Sequence, residues 1–219
     1  TVMSVRIENQ NLYVFNPATG EDIQSITITS LKKMDDILIT AKKKAEEFNF
    51  SSISYRYKMI TKLLKKLVSR MDDFVEIICL ETGKKSEEGI TEIFTSVEHL
   101  KQAGKLARII LTPERRRTGI LKLKRASVWY EPHGVAGIIS PWNYPLILTI
   151  TPLAEALLAG NTVVLKPSEQ TPLTVKLIKE IWDDATGEPD IFQVVYGAGE
   201  VGHHLVSSLN TDIICFYKF

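Results

Sequence analysis

Cysteine is scarce in this chain. Cys79 and Cys215 are the two in 219 residues, too few for a disulfide framework and in keeping with a reducing compartment. An excess charge of one sign is also missing. Lys and Arg total 27 against 26 Asp and Glu, a net charge of +1, so there is no bulk attraction to nucleic acid or anionic lipid. Long hydrophobic runs are absent too. The longest apolar region, Leu146 to Leu158, is broken by Pro152 and Glu155 and does not read as a membrane span. The first ten residues, TVMSVRIENQ, are polar and carry no signal-peptide core. His203 and His204 are adjacent and would face different sides of a helix, which makes a poor metal pair. Together these absences lead us to expect a soluble, cytoplasmic protein with no metal, nucleic acid or membrane partner.

The chain is organised around residues 134–169, GVAGIISPWNYPLILTITPLAEALLAGNTVVLKPSE. An apolar strand, Val135 to Ile139, stops at the turn-forming pair Ser140-Pro141. A helix follows, with Thr151 as its expected N-cap, Pro152 at its first position and Gly160 closing it. A second strand, Thr162 to Leu165, runs into Lys166-Pro167-Ser168-Glu169. A strand, a helix and a strand in so short a stretch make a βαβ unit. The alternation continues: a helix from Thr171-Pro172 to Gly187, a strand Ile191 to Tyr196, a short helix to Leu209 and a strand Ile213 to Phe216. Apolar strands alternating with helices predict a Rossmann-like, doubly wound parallel sheet covered on both faces.

Upstream, residues 5–29 read as short strands around the turn Asn16-Pro17-Ala18-Thr19-Gly20. Three long amphipathic helices are expected next, one starting near Asp35, one spanning Ile53 to Glu81 and one from about Glu87 to Leu111. Between helices and sheet, Arg115-Arg116-Arg117 and the alternating LKLKRASVWY predict a protruding β-hairpin. An exposed edge that pairs with another subunit explains it better than a nucleic-acid surface, because the chain as a whole is neutral. The expected organisation is therefore residues 1–113, strands and helices; 114–132, the hairpin; and 133–219, the βαβ core.

Three features offer chemistry. Gly197-Ala198-Gly199-Glu200-Val201-Gly202 fits G-x-G-x-x-G after a strand and at a helix start. It is either a turn beside a dinucleotide or a tight turn alone, and the acidic partner expected about 20 residues on is missing. Lys166 and Glu169 end a strand of the same sheet, where they can meet ribose hydroxyls or simply form a polar loop. Asn143, in the turn after the first strand, can donate to a developing oxyanion, although a plain turn asparagine is the simpler reading. Cys79 and Cys215 lie in apolar runs with no His or Lys evidently placed to activate them, and read as core residues.

SPWNYPL at 140–146, ALLAGNTVVLKPSEQTP at 156–172 and GAGEVG at 197–202 resemble the NAD(P)-dependent aldehyde dehydrogenase superfamily. NPATGE at 16–21, ETGK at 81–84 and YEPHGVAGIISPWN at 130–143 extend the likeness over nearly the whole chain. The resemblance implies roles. Asn143 would be the oxyanion donor, and Ile139, Ser140, Pro141 and Trp142 would line the nicotinamide side of a cleft. Lys166 and Glu169 would hold the adenosine ribose, with Ser168 between them in the cofactor-binding set. Gly199 and Gly202 would flank the adenine half. The cofactor implied is NAD, with NADP possible, since Glu169 would repel a 2′-phosphate. The hairpin at 114–132 would be an oligomerisation element, and the substrate an aldehyde.

The resemblance stops sharply. Where the family continues F-T-G-S after the strand matching Ile213–Phe216, this sequence reads Tyr217-Lys218-Phe219. The fold is therefore expected to be an incomplete aldehyde dehydrogenase fold. The nucleophilic cysteine, the general-base glutamate and the last strand of the cofactor sheet have no counterpart here. The chain is expected to be inactive alone, since the mechanism begins with thiolate attack on the aldehyde. A non-catalytic nucleotide-binding module, a half that needs a C-terminal partner chain, and a decayed gene product are the alternatives.

Overall fold

The computed structural model describes residues 5–120 and 123–217. An antiparallel sheet opens the chain, formed by β1 (Val5–Glu8), β2 (Asn11–Phe15) and β3 (Asp22–Thr27). Asn9 and Gln10 make the first turn at φ 49° and 62°, the left-handed pair that suits a two-residue hairpin loop. The second turn closes where expected: Gly20 N donates to Asn16 O, and Ala18 N donates to Asn16 Oδ1. Leu12, Val14 and Ile26 from the inner face pack against Leu173.

Four helices follow, not three. They are α1 (Leu31–Phe48), α2 (Ile53–Ser69), α3 (Met71–Thr82) and α4 (Ser86–Ile110). α1 starts a turn before Asp35 because Ser30 caps it, accepting from Lys33 N. The stretch read as one helix from Ile53 to Glu81 is broken at Arg70, which sits at φ −113°, ψ 20°. Its apolar stripe gives no sign of the break. Ile60, Leu63 and Leu67 before it and Phe74 and Ile78 after it are all buried in one cluster. A one-residue interruption leaves both helices facing the same layer, so the periodicity runs through.

The hairpin comprises β4 (Glu114–Arg116) and β5 (Ala126–Val128), paired antiparallel. Its second strand is much shorter than LKLKRASVWY suggested, and Leu121 and Lys122 of that run lie outside the described residues.

The second sheet has four parallel strands: β6 (Val135–Ile139), β7 (Thr162–Lys166), β8 (Phe192–Val194) and β9 (Ile213–Phe216), in the order β8-β7-β6-β9. Three helices connect them: α5 (Ile147–Ala159), α6 (Pro172–Thr186) and α7 (Gly199–Ser207). Successive side chains face opposite ways, and the two faces are covered differently. Ala136, Ile138, Val163 and Leu165 join the main cluster with residues of α2, α5 and α6. Val135 and Val164 pack instead with Met34 and Leu38 of α1 and Leu205 of α7. Gly137 is required at the second face, since a Cβ there would lie 2.7 Å from Ile214 Cδ1. Both cysteines are half-buried, not in the core as expected; Cys215 packs against the main cluster.

The start of α5 differs from expectation. The helix begins at Ile147, and Thr151 and Pro152 lie inside it. Its first N–H groups are satisfied from another helix: Glu92 Oε1 accepts from Leu146 N at 2.8 Å and from Ile147 N at 3.2 Å. At α6 the cap is likewise remote. Pro172 is the first helical residue as expected, but Thr171 makes no side-chain cap bond, and Glu81 accepts from Leu173 N and Thr174 N.

Candidate functional site

The chain steps from β6 to β7 to β8 in one direction and then returns to place β9 on the other side of β6. Connections leave in opposite directions at such a switch point and open a crevice at the strands' carboxyl ends. A cleft of about 630 Å³ occupies that position. From the end of β6 come Ile139, Ser140, Pro141 and Trp142. From the end of β7 come Lys166, Ser168 and Glu169, and α7 adds Gly199 and Gly202. The structure thus brings together every residue that the sequence assigned to cofactor binding.

Lys166 is buried by the packing of β7. Its Nζ donates to Pro167 O at 2.9 Å and lies 3.4 Å from Glu169 Oε2. Burial pulls the Lys166 pKa down, and Glu169 opposes that fall. Gly202 allows α7 to approach this side chain: a Cβ there would lie 3.3 Å from Lys166 Cδ. At Gly199 a Cβ would meet nothing within 4 Å, so the N-terminal turn of α7 borders open space. Ser140 lines the cleft, and its hydroxyl is buried without a hydrogen-bond partner among the described residues.

Five further lining residues escaped the sequence reading: His203, Val206, Ile214, Phe216 and Tyr217. Spacing could have found most of them. His203 and Val206 follow Gly199 at four and seven residues, the same helix face, and Ile214 and Phe216 alternate on one face of β9. Neither Cys79 nor Cys215 is among the lining residues. Burial raises the Cys215 thiol pKa, partly offset by a hydrogen bond with Tyr217, which disfavours the thiolate. No group of three or more His, Cys, Asp or Glu is placed to hold a metal among the described residues.

Asn143 does not line this cleft. Its neighbour Trp142 does, while Tyr144 on the other side lines a second cavity of about 440 Å³ with Ile147 and Leu148. Asn143 is therefore flanked in sequence by residues that line two different cavities. Its Oδ1 is buried without a partner, and no side-chain hydrogen bond among the described residues engages its Nδ2.

A family model described as aldehyde dehydrogenase family matches residues 5–217. The chain belongs to the aldehyde dehydrogenase family. It is 31% identical over 205 residues to the N-succinylglutamate 5-semialdehyde dehydrogenase of Chromohalobacter salexigens, covering 92% of this chain and 40% of that protein. With the mitochondrial succinate-semialdehyde dehydrogenase of Arabidopsis thaliana it shares 30% identity, covering 95% of this chain and 39% of that protein. Among solved structures, the NADP-dependent glyceraldehyde-3-phosphate dehydrogenase of Bacillus halodurans, complexed with NADP, superposes with a TM-score of 0.88 at 30% identity. That match covers 94% of this chain and 44% of the other. Aldehyde dehydrogenase C from Pseudomonas syringae, in complex with NAD+ and octanal, gives a TM-score of 0.86 at 27% identity, covering 96% and 42%. The chain thus spans about 40% of the length of the aldehyde dehydrogenases it matches, and it carries the N-terminal half of the fold. No helix among the described residues is long and apolar enough to cross a membrane.

Proposed function

We propose that this chain is the cofactor-binding half of an enzyme that oxidises an aldehyde to a carboxylic acid with NAD(P)+. The observation that carries the reading is the single cleft at the β6/β9 switch point, which gathers Ile139–Trp142, Lys166, Ser168, Glu169, Gly199 and Gly202. The nicotinamide cofactor, when bound, accepts the hydride. The Lys166 ammonium donates to the ribose hydroxyls and the Glu169 carboxylate accepts from them. Glu169, as an anion at that position, favours NAD over NADP. Gly199 and Gly202 leave room for the adenine half, and the open N-terminus of α7 complements negative charge. Ile139 to Trp142 form the wall against which the nicotinamide rests. Asn143 presents its amide N–H between cofactor cleft and second cavity, where it stabilises the oxygen of a carbonyl under attack.

Neither Cys79 nor Cys215 lines the cleft, so the attacking thiolate comes from outside the described residues, and so does the general base that the resemblance implies. The chain alone is therefore inactive, and it binds cofactor as a module or is completed by a further half. The exposed strand pair β4 and β5, followed by the exposed Trp129 and Tyr130, serves as the oligomerisation edge. Calorimetric titration of the chain with NAD+, beside a Lys166→Ala/Glu169→Ala double variant, tests the reading. Saturable binding that the double variant loses supports it. A folded, monodisperse chain that binds neither NAD+ nor NADP+ overturns it.

A further inference from the structure

The turn that carries Asn143 has no regular structure of its own, because residues 140–146 link β6 to α5. No side-chain hydrogen bond among the described residues fixes Asn143, whose Oδ1 is buried and unpartnered. Its position therefore depends on what holds the backbone around it. Two side chains from elsewhere do so. Lys84, in the link between α3 and α4, donates from Nζ to Asn143 O and sits 3.7 Å from the centre of the Tyr144 ring. The same Nζ lies 3.3 Å from Glu92 Oε2. Glu92 Oε1 in turn accepts from Leu146 N and Ile147 N. One ion pair thus grips the turn at residues 143, 144, 146 and 147.

We infer that Lys84 and Glu92 are positioning residues that set the oxyanion donor Asn143 through its backbone. This rests on the reading of Asn143 as that donor. The physical case is direct. An oxyanion donor is effective only when pre-placed to within about half an ångström. A buried ion pair holds a fixed geometry only when each partner is further hydrogen-bonded, and here every remaining bond goes to this turn. The Glu92 side chain is fully buried and that of Lys84 is 16% exposed, so the pair is largely shielded from water. The carboxylate also sits at the N-terminal end of α5, where the helix dipole favours it. Lys84 therefore has a role beyond closing a loop: it carries the position of α4 to the residue that meets the substrate oxygen.

The Asn143 side-chain amide is the reporter, assigned in a nitrogen-15 spectrum of the full chain by its loss in Asn143→Asp. Lys84→Met, which keeps the aliphatic stem, and Glu92→Gln are expected to move that amide pair toward the shift and mobility of a free asparagine. Lys84→Arg is expected to retain the parent position. The Trp182 indole N–H, which donates to Glu188 O at 3.0 Å, is expected to stay put and so reports an intact fold. If the Asn143 pair in Lys84→Met superimposes on the parent while Trp182 is unchanged, the inference is overturned, whether or not Glu92→Gln folds. The readout needs no cofactor. A parent chain that fails to bind NAD+ defeats the cofactor reading and leaves this result standing.

Discussion

Glu81 holds Thr174 by two bonds to one oxygen: Oε2 accepts from the Thr174 backbone N–H at 2.9 Å and from its hydroxyl at 2.7 Å. Oε1 accepts from the next donor back, Leu173 N. A glutamate at the end of α3 thereby caps α6, the helix that begins just beyond the loop that follows Lys166 and bears Glu169.

That cap titrates near neutrality. Burial pushes the Glu81 carboxyl up to about 7 from an ordinary 4.5, against the three hydrogen bonds that favour the anion. The folded chain thus keeps a proton that the unfolded chain has released, so this group's stabilisation is fully present below about 4.5 and lost as pH rises through about 7. Melting temperatures of the parent and of Glu81→Gln, measured across that window, are expected to differ in slope. The parent falls with rising pH, and the variant is flatter. Parallel curves would contradict the assignment.

Cap substitutions should separate local from remote capping. Ser30 accepts from Lys33 N, so Ser30→Ala is expected to cost about 1 kcal/mol in denaturant melts. Thr171 caps nothing, and its hydroxyl is buried without a partner. Thr171→Val is expected to be neutral within about 0.5 kcal/mol or stabilising. A loss of the size expected for Ser30→Ala would show that Thr171 caps α6 in solution.

Gly202 offers a direct probe of the cleft. A methyl there would press on the Lys166 stem at 3.3 Å, and that side chain can yield only by moving its ammonium. Gly202→Ala is expected to weaken NAD+ binding roughly tenfold, about 1.4 kcal/mol, with little change in melting temperature. Equal affinity for parent and variant by calorimetry would remove Lys166 from the binding set.

Glu169 bears on cofactor choice. Its side chain is 39% exposed beside Lys166, and a ribose 2′-phosphate placed there would meet a like charge. Glu169→Gln is expected to raise affinity for NADP+ relative to NAD+, read by parallel titrations. An unchanged ratio would mean that the phosphate is excluded elsewhere or not at all.

Much of this molecule is legible in its residues. The alternating apolar strands and helices from Val135 to Phe216, the left-handed closures at Gly160 and Gly187 and the Asn16–Gly20 turn are local events. Each is set by side-chain periodicity or by a backbone angle that glycine tolerates. Ile139 to Trp142, Lys166, Ser168 and Glu169 were legible as cleft residues because they end β6 and β7, and strand ends in an open parallel sheet converge. What the pattern could not show is how helix ends are satisfied. Thr151 and Thr171 look like caps because an orphan N–H needs an acceptor and a local hydroxyl is the nearest one in sequence. In the folded chain α5 starts earlier, at N–H groups that Glu92 accepts, and Glu81 accepts those of α6, from helices 54 and 92 residues away. The break at Arg70 and the grip of Lys84 on Asn143 belong to the same class. Sequence by itself determined which segments become strands and helices, and which of them point polar residues at one sheet edge. Tertiary structure alone decided where α5 starts, what caps α6 and what holds Asn143, because a hydrogen-bond acceptor acts at about 3 Å in space, whatever its distance along the chain.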